Sequence, residues 1–275
     1  MSIETPRQIP EHTVQEFRPK SAEYCIAVFV INENGKLHKL LERMRPWAGL
    51  VDIVIADGGS TDGSTAEQVL RPLAVNTLLT KTGPGKLGAQ MRMAFGWALA
   101  RGYQGVIAID GNNKDGPEAI PEFLAKLRDG FDHVQGSRFI PGGVSENLPR
   151  SRWWGLKLLH VPMMRWASGF RYTDTTNGFR AYSRRFLEDP RVALFRRVFA
   201  GYELHYYLAV RAARLGFRVM EIPVSRCYPA QGPVPTKIGG VRGNFRVIQC
   251  LFKVCLGHYN PTESRDSKDD SVKSP

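Results

Sequence analysis

Val106-Ile107-Ala108-Ile109-Asp110-Gly111-Asn112-Asn113-Lys114-Asp115 is an apolar run that ends in a carboxylate and then a turn crowded with oxygen-bearing side chains. The apolar residues predict a buried strand. Asp110 then falls at the carboxyl edge of a sheet, where open α/β folds keep their ligands. Asp110, Asn112 and Asp115 carry oxygen donors of the kind that Mg²⁺ or Mn²⁺ takes. Turns rich in Asn, Asp and Gly also close strands that hold no ligand, so the flanking sequence has to decide.

Outward from this strand the first half alternates strand and helix. Residues 24–31 and 51–56 are β-branched, apolar runs that predict buried strands, and 131–135 predicts another. Leu37, Leu40, Leu41 and Met44 share one face of a helix over 36–44. Further helices are expected over 61–70, with Thr61 or Asp62 as N-cap, over 87–101 and over 117–128. This alternation predicts a mostly parallel sheet covered on both faces. Its carboxyl edge gathers three loops: Asn32-Glu33, Asp57 to Asp62, and Asp110 to Asp115. The second half is less regular. Trp153 to Phe170 is apolar and aromatic but interrupted by Arg152, Lys157, His160, Arg165 and Arg171, which fits an amphipathic helix on a membrane surface or packed on the domain. Pro162 is expected to break or kink it. Phe245 to Leu256 has the same character and reads slightly better as a core-packing helix.

The chain has 275 residues, of which 43% are hydrophobic, enough for a proper core. Residues 1–20, with three prolines and no periodicity, are expected to form a flexible arm, and 262–275 a disordered tail. Between them lies one domain, 21–261, with halves 21–137 and 138–261. No apolar run reaches the about 18 to 20 residues that span a bilayer, and the N-terminus lacks an apolar signal core. A cytoplasmic protein is expected. Cys25, Cys227, Cys250 and Cys255 lack zinc-ligand spacing and read as reduced core residues. The net charge is +12, and residues 138–246 alone hold 19 Lys/Arg against 6 Asp/Glu. Such a basic half attracts phosphates, anionic lipid or nucleic acid. With no helix-turn-helix, zinc-finger or RNP-type motif, nucleic acid is not the expected partner.

Asp57-Gly58-Gly59-Ser60-Thr61-Asp62-Gly63-Ser64 comes directly after a strand and lets backbone approach a ligand closely. Taken together with Asn32-Glu33, Asp110 to Glu118, Gly136-Ser137-Arg138-Phe139, Glu146-Asn147-Leu148-Pro149 with Arg152, Thr176-Asn177-Gly178-Phe179-Arg180, Glu221-Ile222-Pro223-Val224 and Thr236-Lys237, it resembles a family 2 glycosyltransferase of the dolichyl-phosphate mannose synthase and polyprenyl-phosphate glycosyltransferase group. The resemblance runs over about residues 24 to 245. It implies a GT-A fold: a Rossmann-like, mostly parallel central sheet flanked by helices, with a basic, amphipathic-helix-containing acceptor half. It further implies a nucleotide sugar donor bound by Glu33, Asp57 and Asp110, with Asp57 on the base or ribose; Gly59, Lys86 and Lys114 are further candidates for binding that donor. Asp110, with Asn112 and Asp115, would hold Mg²⁺ or Mn²⁺. Arg138, Arg152 and Lys237 would hold donor or acceptor phosphates.

This chain departs from the family at the metal motif. The usual second carboxylate is Asn112 and the usual Gln is Lys114, which removes about two negative charges and weakens a hard divalent site. Either Asp115 supplies the missing carboxylate, or Lys114 partly replaces the metal on the diphosphate. The family's Arg ahead of Thr236-Lys237 has no clean match, although Arg226 is near. Gly83-Pro84-Gly85-Lys86 lacks P-loop spacing, but Lys86 can still face a diphosphate. The expected activity is inverting transfer of a hexose to a polyprenyl phosphate at the inner membrane face, with a glycolipid as the related acceptor. An acceptor hydroxyl in a surface polysaccharide is the alternative. It would require a general base, for which Asp174 and Glu203 are the candidates. A binder of nucleotide sugars without activity is the third reading, prompted by Asn112 and Lys114.

Overall fold

The structure, a computed structural model, describes residues 7–229 and 240–261. The strands are β1 (His12–Glu16), β2 (Cys25–Val30), β3 (Asp52–Asp57), β4 (Val75–Lys81), β5 (Gly105–Asp110), β6 (His133–Ser137), β7 (Val144–Glu146), β8 (Arg180–Ser183), β9 (Val219–Pro223) and β10 (Ser225–Cys227). The α-helices are α1 (Gly35–Met44), α2 (Glu67–Leu70), α3 (Leu87–Ala100), α4 (Ile120–Arg128), α5 (Arg150–Gly155), α6 (Val161–Ser168), α7 (Arg184–Glu188), α8 (Glu203–Arg214) and α9 (Gly240–Cys255).

Eight strands form one sheet in the order β1-β4-β3-β2-β5-β8-β6-β9. The run β4-β3-β2-β5 is parallel, and β8 enters antiparallel between β5 and β6. A strand turns successive side chains to opposite faces, and the cores obey this. Cys25, Ala27, Phe29, Val54, Ala56, Val106 and Ala108 face one core, shared with α3 and α8. Ile26, Val28, Val30, Ile53, Ile55, Ile107 and Ile109 face the other, under α1 and α4. The parallel register pairs Val30 with Asp57 and Phe29 with Asp110. Both acids therefore reach the same sheet edge, but the alternation sends Asp110 toward the α3 and α8 side and Asp57 toward the other.

Several expectations are corrected. Residues 12–16 of the expected flexible arm are β1, paired antiparallel with β4. The buried Asp52 carboxylate anchors the segment between β1 and β2, accepting from Ser21 N and Oγ at 2.9 and 2.6 Å, from Ala22 N at 3.2 Å and from Tyr103 Oη at 2.7 Å. The strand β4 is not among the expected elements. Its Asn76 is an extra residue where the register with β3 shifts, and the Asn76 Oδ1 accepts the Ile53 N–H at 2.9 Å in place of backbone. The helix expected over 61–70 shrinks to α2, because Asp62 folds back to accept Ser64 N and Oγ at 3.1 and 2.6 Å. Such local side-chain bonds compete with helix. Pro162 does not interrupt its helix. It sits in the first turn of α6, where a missing N–H is tolerated, and a π-helical turn over Leu156–His160 joins α5 to α6. Cys227 is exposed, whereas Cys25 and Cys255 are buried; all four cysteines are free thiols. The tail from 262 lies outside the described residues.

Phe95 of α3 is fully buried between Phe29 and Tyr182, at ring-centroid distances of 6.4 and 5.4 Å. Phe95→Ala is expected to lower the unfolding free energy by about 3 to 5 kcal/mol, read from urea denaturation; a loss below about 1 kcal/mol would mean that α3 is not the centre of this core.

Candidate functional site

At the carboxyl edge, the loops after β2 and β3 are laced together. Asn32 N donates to Ser60 Oγ at 3.0 Å, Thr61 N to Asn32 Oδ1 at 2.8 Å, and Asn34 N to Asp62 at 2.7 Å. Gln90, buried on α3, donates its amide to Val30 O at 2.8 Å and Ala56 O at 3.0 Å, and so pins both strand ends. A Cβ on Gly58 would lie 3.0 Å from that amide, so a larger residue there would press on Gln90. Gly59, at φ +94°, makes the next turn of the loop. The Asp57 carboxylate is turned into its own loop and accepts from Ser60 N at 3.0 Å and Ser60 Oγ at 2.6 Å. Gly58 rather than Asp57 or Gly59 reaches the cavity above.

That cavity has a volume of about 730 Å³ and runs from the β2 loop to α5 and α8. One end is lined by Ile31, Glu33, Lys36 and Gly58, with Lys36 Nζ 4.0 Å from the Glu33 carboxylate. Lys86 enters from the loop before α3, its N–H bonded to Ala200 O at 2.7 Å. Gln90 is not among the expected site residues, because a glutamine inside an apolar helix carries no motif.

Asp110, Asn112 and Lys114 line the middle of the cavity, as expected, but Arg226 joins them. Arg226 Nη1 donates to both Asp115 oxygens, at 2.7 and 2.5 Å, and Nη2 lies 3.3 Å from Asp110 Oδ2. Asp115 is fully buried beneath this pair. Asn112 Nδ2 also turns to Asp110 Oδ2, at 3.4 Å. Burial opposes ionisation of Asp110, but Arg226 and then Lys114 outweigh it and hold the carboxyl below the usual carboxylate range. Burial and Arg226 together lower the Lys114 ammonium.

This donor set does not fit the expected divalent ion. Mg²⁺ and Mn²⁺ want accessible carboxylate oxygens. Asp115 spends its oxygens on Arg226, Asn112 turns its NH₂ rather than its oxygen to Asp110, and Asp110 already faces a guanidinium. An added cation would also sit beside Arg226 and Lys114. Those two cations already neutralise the two carboxylates, so no net negative charge is left to draw in a divalent ion. In this structure Asp115, expected as a metal ligand, is paired with Arg226, and the Asn112 amide contacts Asp110.

The far wall is basic and rigid. Arg138 is buried and grips Asp174 through Nε at 2.6 Å and Nη2 at 2.9 Å. Its Nη2 also reaches Thr176 Oγ1 at 2.9 Å, and Nη1 reaches Tyr228 Oη at 3.3 Å. Asp174 is thus a structural partner of Arg138, not a base open to the cavity. Glu203 is likewise turned away, accepting the Gly201 N–H at the start of α8. Among the described residues, the carboxylates on the cavity wall are Glu33 and Asp110. Arg152, exposed on α5, stands at the mouth. His160 and His205 line the floor. Burial, then the charge of Arg180, brings them down to about 4 and about 3, so both rings are neutral near pH 7. Lys237 lies outside the described residues.

The family described as Glycosyl transferase family 2 matches residues 25–191. The polyprenol monophosphomannose synthase of Mycolicibacterium smegmatis is 32% identical over 197 residues, covering 70% of this chain and 73% of that protein. The undecaprenyl-phosphate mannosyltransferase of Micrococcus luteus is 31% identical over 205 residues, covering 70% and 79%. Among solved structures, glucosyl-3-phosphoglycerate synthase from Mycobacterium tuberculosis, in complex with Mn²⁺, UDP-glucose and phosphoglyceric acid, matches with a TM-score of 0.59 at 17% identity, over 84% of this chain and 79% of that one. At that identity the likeness concerns the fold, which is GT-A.

Removing one partner of a buried ion pair strands the other charge. Asp174→Ala is expected to cost about 3 to 5 kcal/mol in chemical denaturation, and Arg138→Met/Asp174→Leu to recover most of it. A single variant as stable as the parent would show that the pair is not buried as described.

Proposed function

This chain belongs to glycosyl transferase family 2 and is a glycosyltransferase, and we propose that it moves a hexose from a nucleotide diphosphate sugar to a polyprenyl phosphate with inversion. The nucleotide would lie against Ile31, Glu33 and Gly58, with its diphosphate toward Lys86, Lys114 and Asp110. The acceptor phosphate would enter past Arg152 toward Arg138. One of its oxygens attacks the anomeric carbon on the face opposite the leaving group. The bond from that carbon to the donor's β-phosphate oxygen breaks, and the nucleoside diphosphate leaves with the electron pair. The surrounding cations oppose the charge that develops on it.

The observation that carries the acceptor assignment is the state of Asp174. A hydroxyl acceptor needs a base to take its proton, yet Asp174 is held through both oxygens by Arg138, Glu203 is turned to Gly201, and the two cavity carboxylates, Glu33 and Asp110, lie on the side given to the donor. A phosphate monoester has its second pKa near about 6 and is already nucleophilic at neutral pH. The names of the two relatives, both concerned with polyprenyl phosphates, support the same acceptor.

A lipid acceptor also accounts for the outer surface. Among the described residues no helix is long and apolar enough to cross a membrane. Instead, α5 lends Arg152 to the cavity mouth, while Trp154, Leu158 and Trp166 along the same helical stretch are 53, 69 and 65% exposed. Neighbouring α9 buries Leu251 and Val254 but exposes Phe245, Phe252 and Leu256, so it is at once a core helix and an apolar surface. Arg150, Lys157, Arg165, Arg246 and Lys253 accompany these residues. Aromatic side chains edged by Lys and Arg suit an anionic lipid surface, here the inner face of the cytoplasmic membrane.

Nucleotide sugars should be screened by thermal stabilisation and the hit assayed for transfer. A bound donor at a hundredfold excess over Kd adds about 2.7 kcal/mol. Turnover is expected with undecaprenyl phosphate and absent with free oligosaccharides, and Glu203→Gln is expected to keep it within about threefold. Transfer to an oligosaccharide hydroxyl that collapses in Glu203→Gln would overturn the acceptor assignment. Vesicle sedimentation tests the surface: Arg150→Gln and Lys253→Gln should each weaken binding to anionic vesicles about fivefold. Equal binding to neutral and anionic vesicles would argue against a basic docking face.

A further inference from the structure

Arg226 stands between two carboxylates at the corner where the sequence alone suggests a divalent ion. Its backbone is fixed on both sides: Asp115 and Arg226 form an antiparallel bridge, Cys227 N donates to Lys114 O at 2.9 Å, and Gly116 N donates to Ser225 O at 3.0 Å. On its outer side β10 pairs with β7. Its head is fixed as well, by both Asp115 oxygens. A guanidinium held at backbone and head cannot swing out as a surface arginine does. Lys114 stands on the same loop, and its Nζ lies 5.4 Å from the Tyr228 ring centroid, with the Arg226 guanidinium carbon 5.8 Å from the same centroid.

We propose that Arg226, with Lys114, takes over the charge role of a divalent ion toward the donor diphosphate, so that donor binding by this enzyme does not require added metal. The inference rests on the nucleotide-sugar reading above. Local charge supports it. A divalent ion on two carboxylates sums to zero before the diphosphate arrives. Here Asp110 and Asp115 are balanced by Arg226 and Lys114, which also sums to zero, and the neutral Asn112 leaves that balance unchanged. The corner thus presents a diphosphate with the same net charge as a metal-loaded one, from groups that are covalently part of the chain. A guanidinium keeps its charge in any protein environment.

The test is binding of UDP, GDP, ADP, CDP and dTDP to the full chain by calorimetry, after stripping with EDTA and again with Mn²⁺ or Mg²⁺ added. One nucleoside diphosphate is expected to bind in EDTA within about threefold of its affinity with metal. A charge-assisted contact is worth about 10- to 100-fold, and Arg226→Gln/Asp115→Asn, which removes the buried pair together and leaves Asp110 beside Lys114, should lose that much in EDTA. Asn112→Asp/Lys114→Gln, which restores a second carboxylate and removes the ammonium, should gain at least about tenfold from Mn²⁺. The chelation comparison on the unaltered chain decides the matter even if a variant fails to fold. Affinity that falls more than about tenfold in EDTA and returns with Mn²⁺ overturns the inference and leaves the nucleotide-sugar reading standing. Failure of every diphosphate to bind, with and without metal, overturns that reading and the inference with it.

Discussion

Parallel pairing of β2 with β3 on one side and β5 on the other is the constraint on which the site depends. It brings the ends of three strands to one edge in fixed register, so that Val30, Asp57 and Asp110 leave the sheet within one residue of each other. The same pairing fixes which way each points. Because side chains alternate, Asp110 rises on the side of α3 and α8, where the cavity is, and Asp57 on the side of α1. The β3 loop therefore meets the cavity through Gly58 backbone, while the β5 loop meets it through side chains. Gln90 braces this edge by bonding the Val30 carbonyl at the end of β2 and the Ala56 carbonyl one residue short of the end of β3.

Charge is the second organising element, and it is placed from a distance. Arg226 reaches Asp115 and Asp110 from β10, and Arg138 reaches Asp174 across the end of β6. Both arginines lie against the cavity with their inner sides tied to buried carboxylates. The consequence is a wall that is basic toward a ligand but nearly neutral in its own interior. Neutral His160 and His205 complete the floor without adding charge to it.

The sheet is largely legible in the sequence because its central strands are continuous apolar runs, α1 and α4 have one apolar face each, and α3 is a long apolar stretch buried on nearly every side. The elements that escape have a physical reason in each case. The edge strand β1 is exposed apart from its first residue and carries no burial pattern. In β4, Asn76 and Thr77 break the apolar run, yet both are buried, because Asn76 stands in for a backbone partner. The helix expected from Thr61 loses its first turns to the Asp62 and Ser64 side chains. In the site, Asp110, Lys114, Arg138 and Arg152 line one cavity. Their partners are not legible in the sequence, since an ion pair such as Arg226 with Asp115 joins residues far apart along the chain and leaves no periodicity to read. Asp174 therefore reads as a possible base in the sequence, whereas its geometry makes it the anchor of Arg138.

Those buried pairs need a reason beyond stability. Desolvating two charges costs several kcal/mol per ion in practice, and well-packed apolar residues in their place are often neutral or stabilising. Two such pairs beside one cavity are hard to explain as contributions to folding. They are readily explained as preorganisation. A guanidinium already desolvated and already oriented does not have to reorganise when negative charge develops nearby, and in a low-dielectric pocket it acts more strongly than a mobile surface cation would. On the proposed function, Asp115 and Asp174, which hold the two guanidinium heads from inside, would position the arginines that face the diphosphate and the acceptor phosphate.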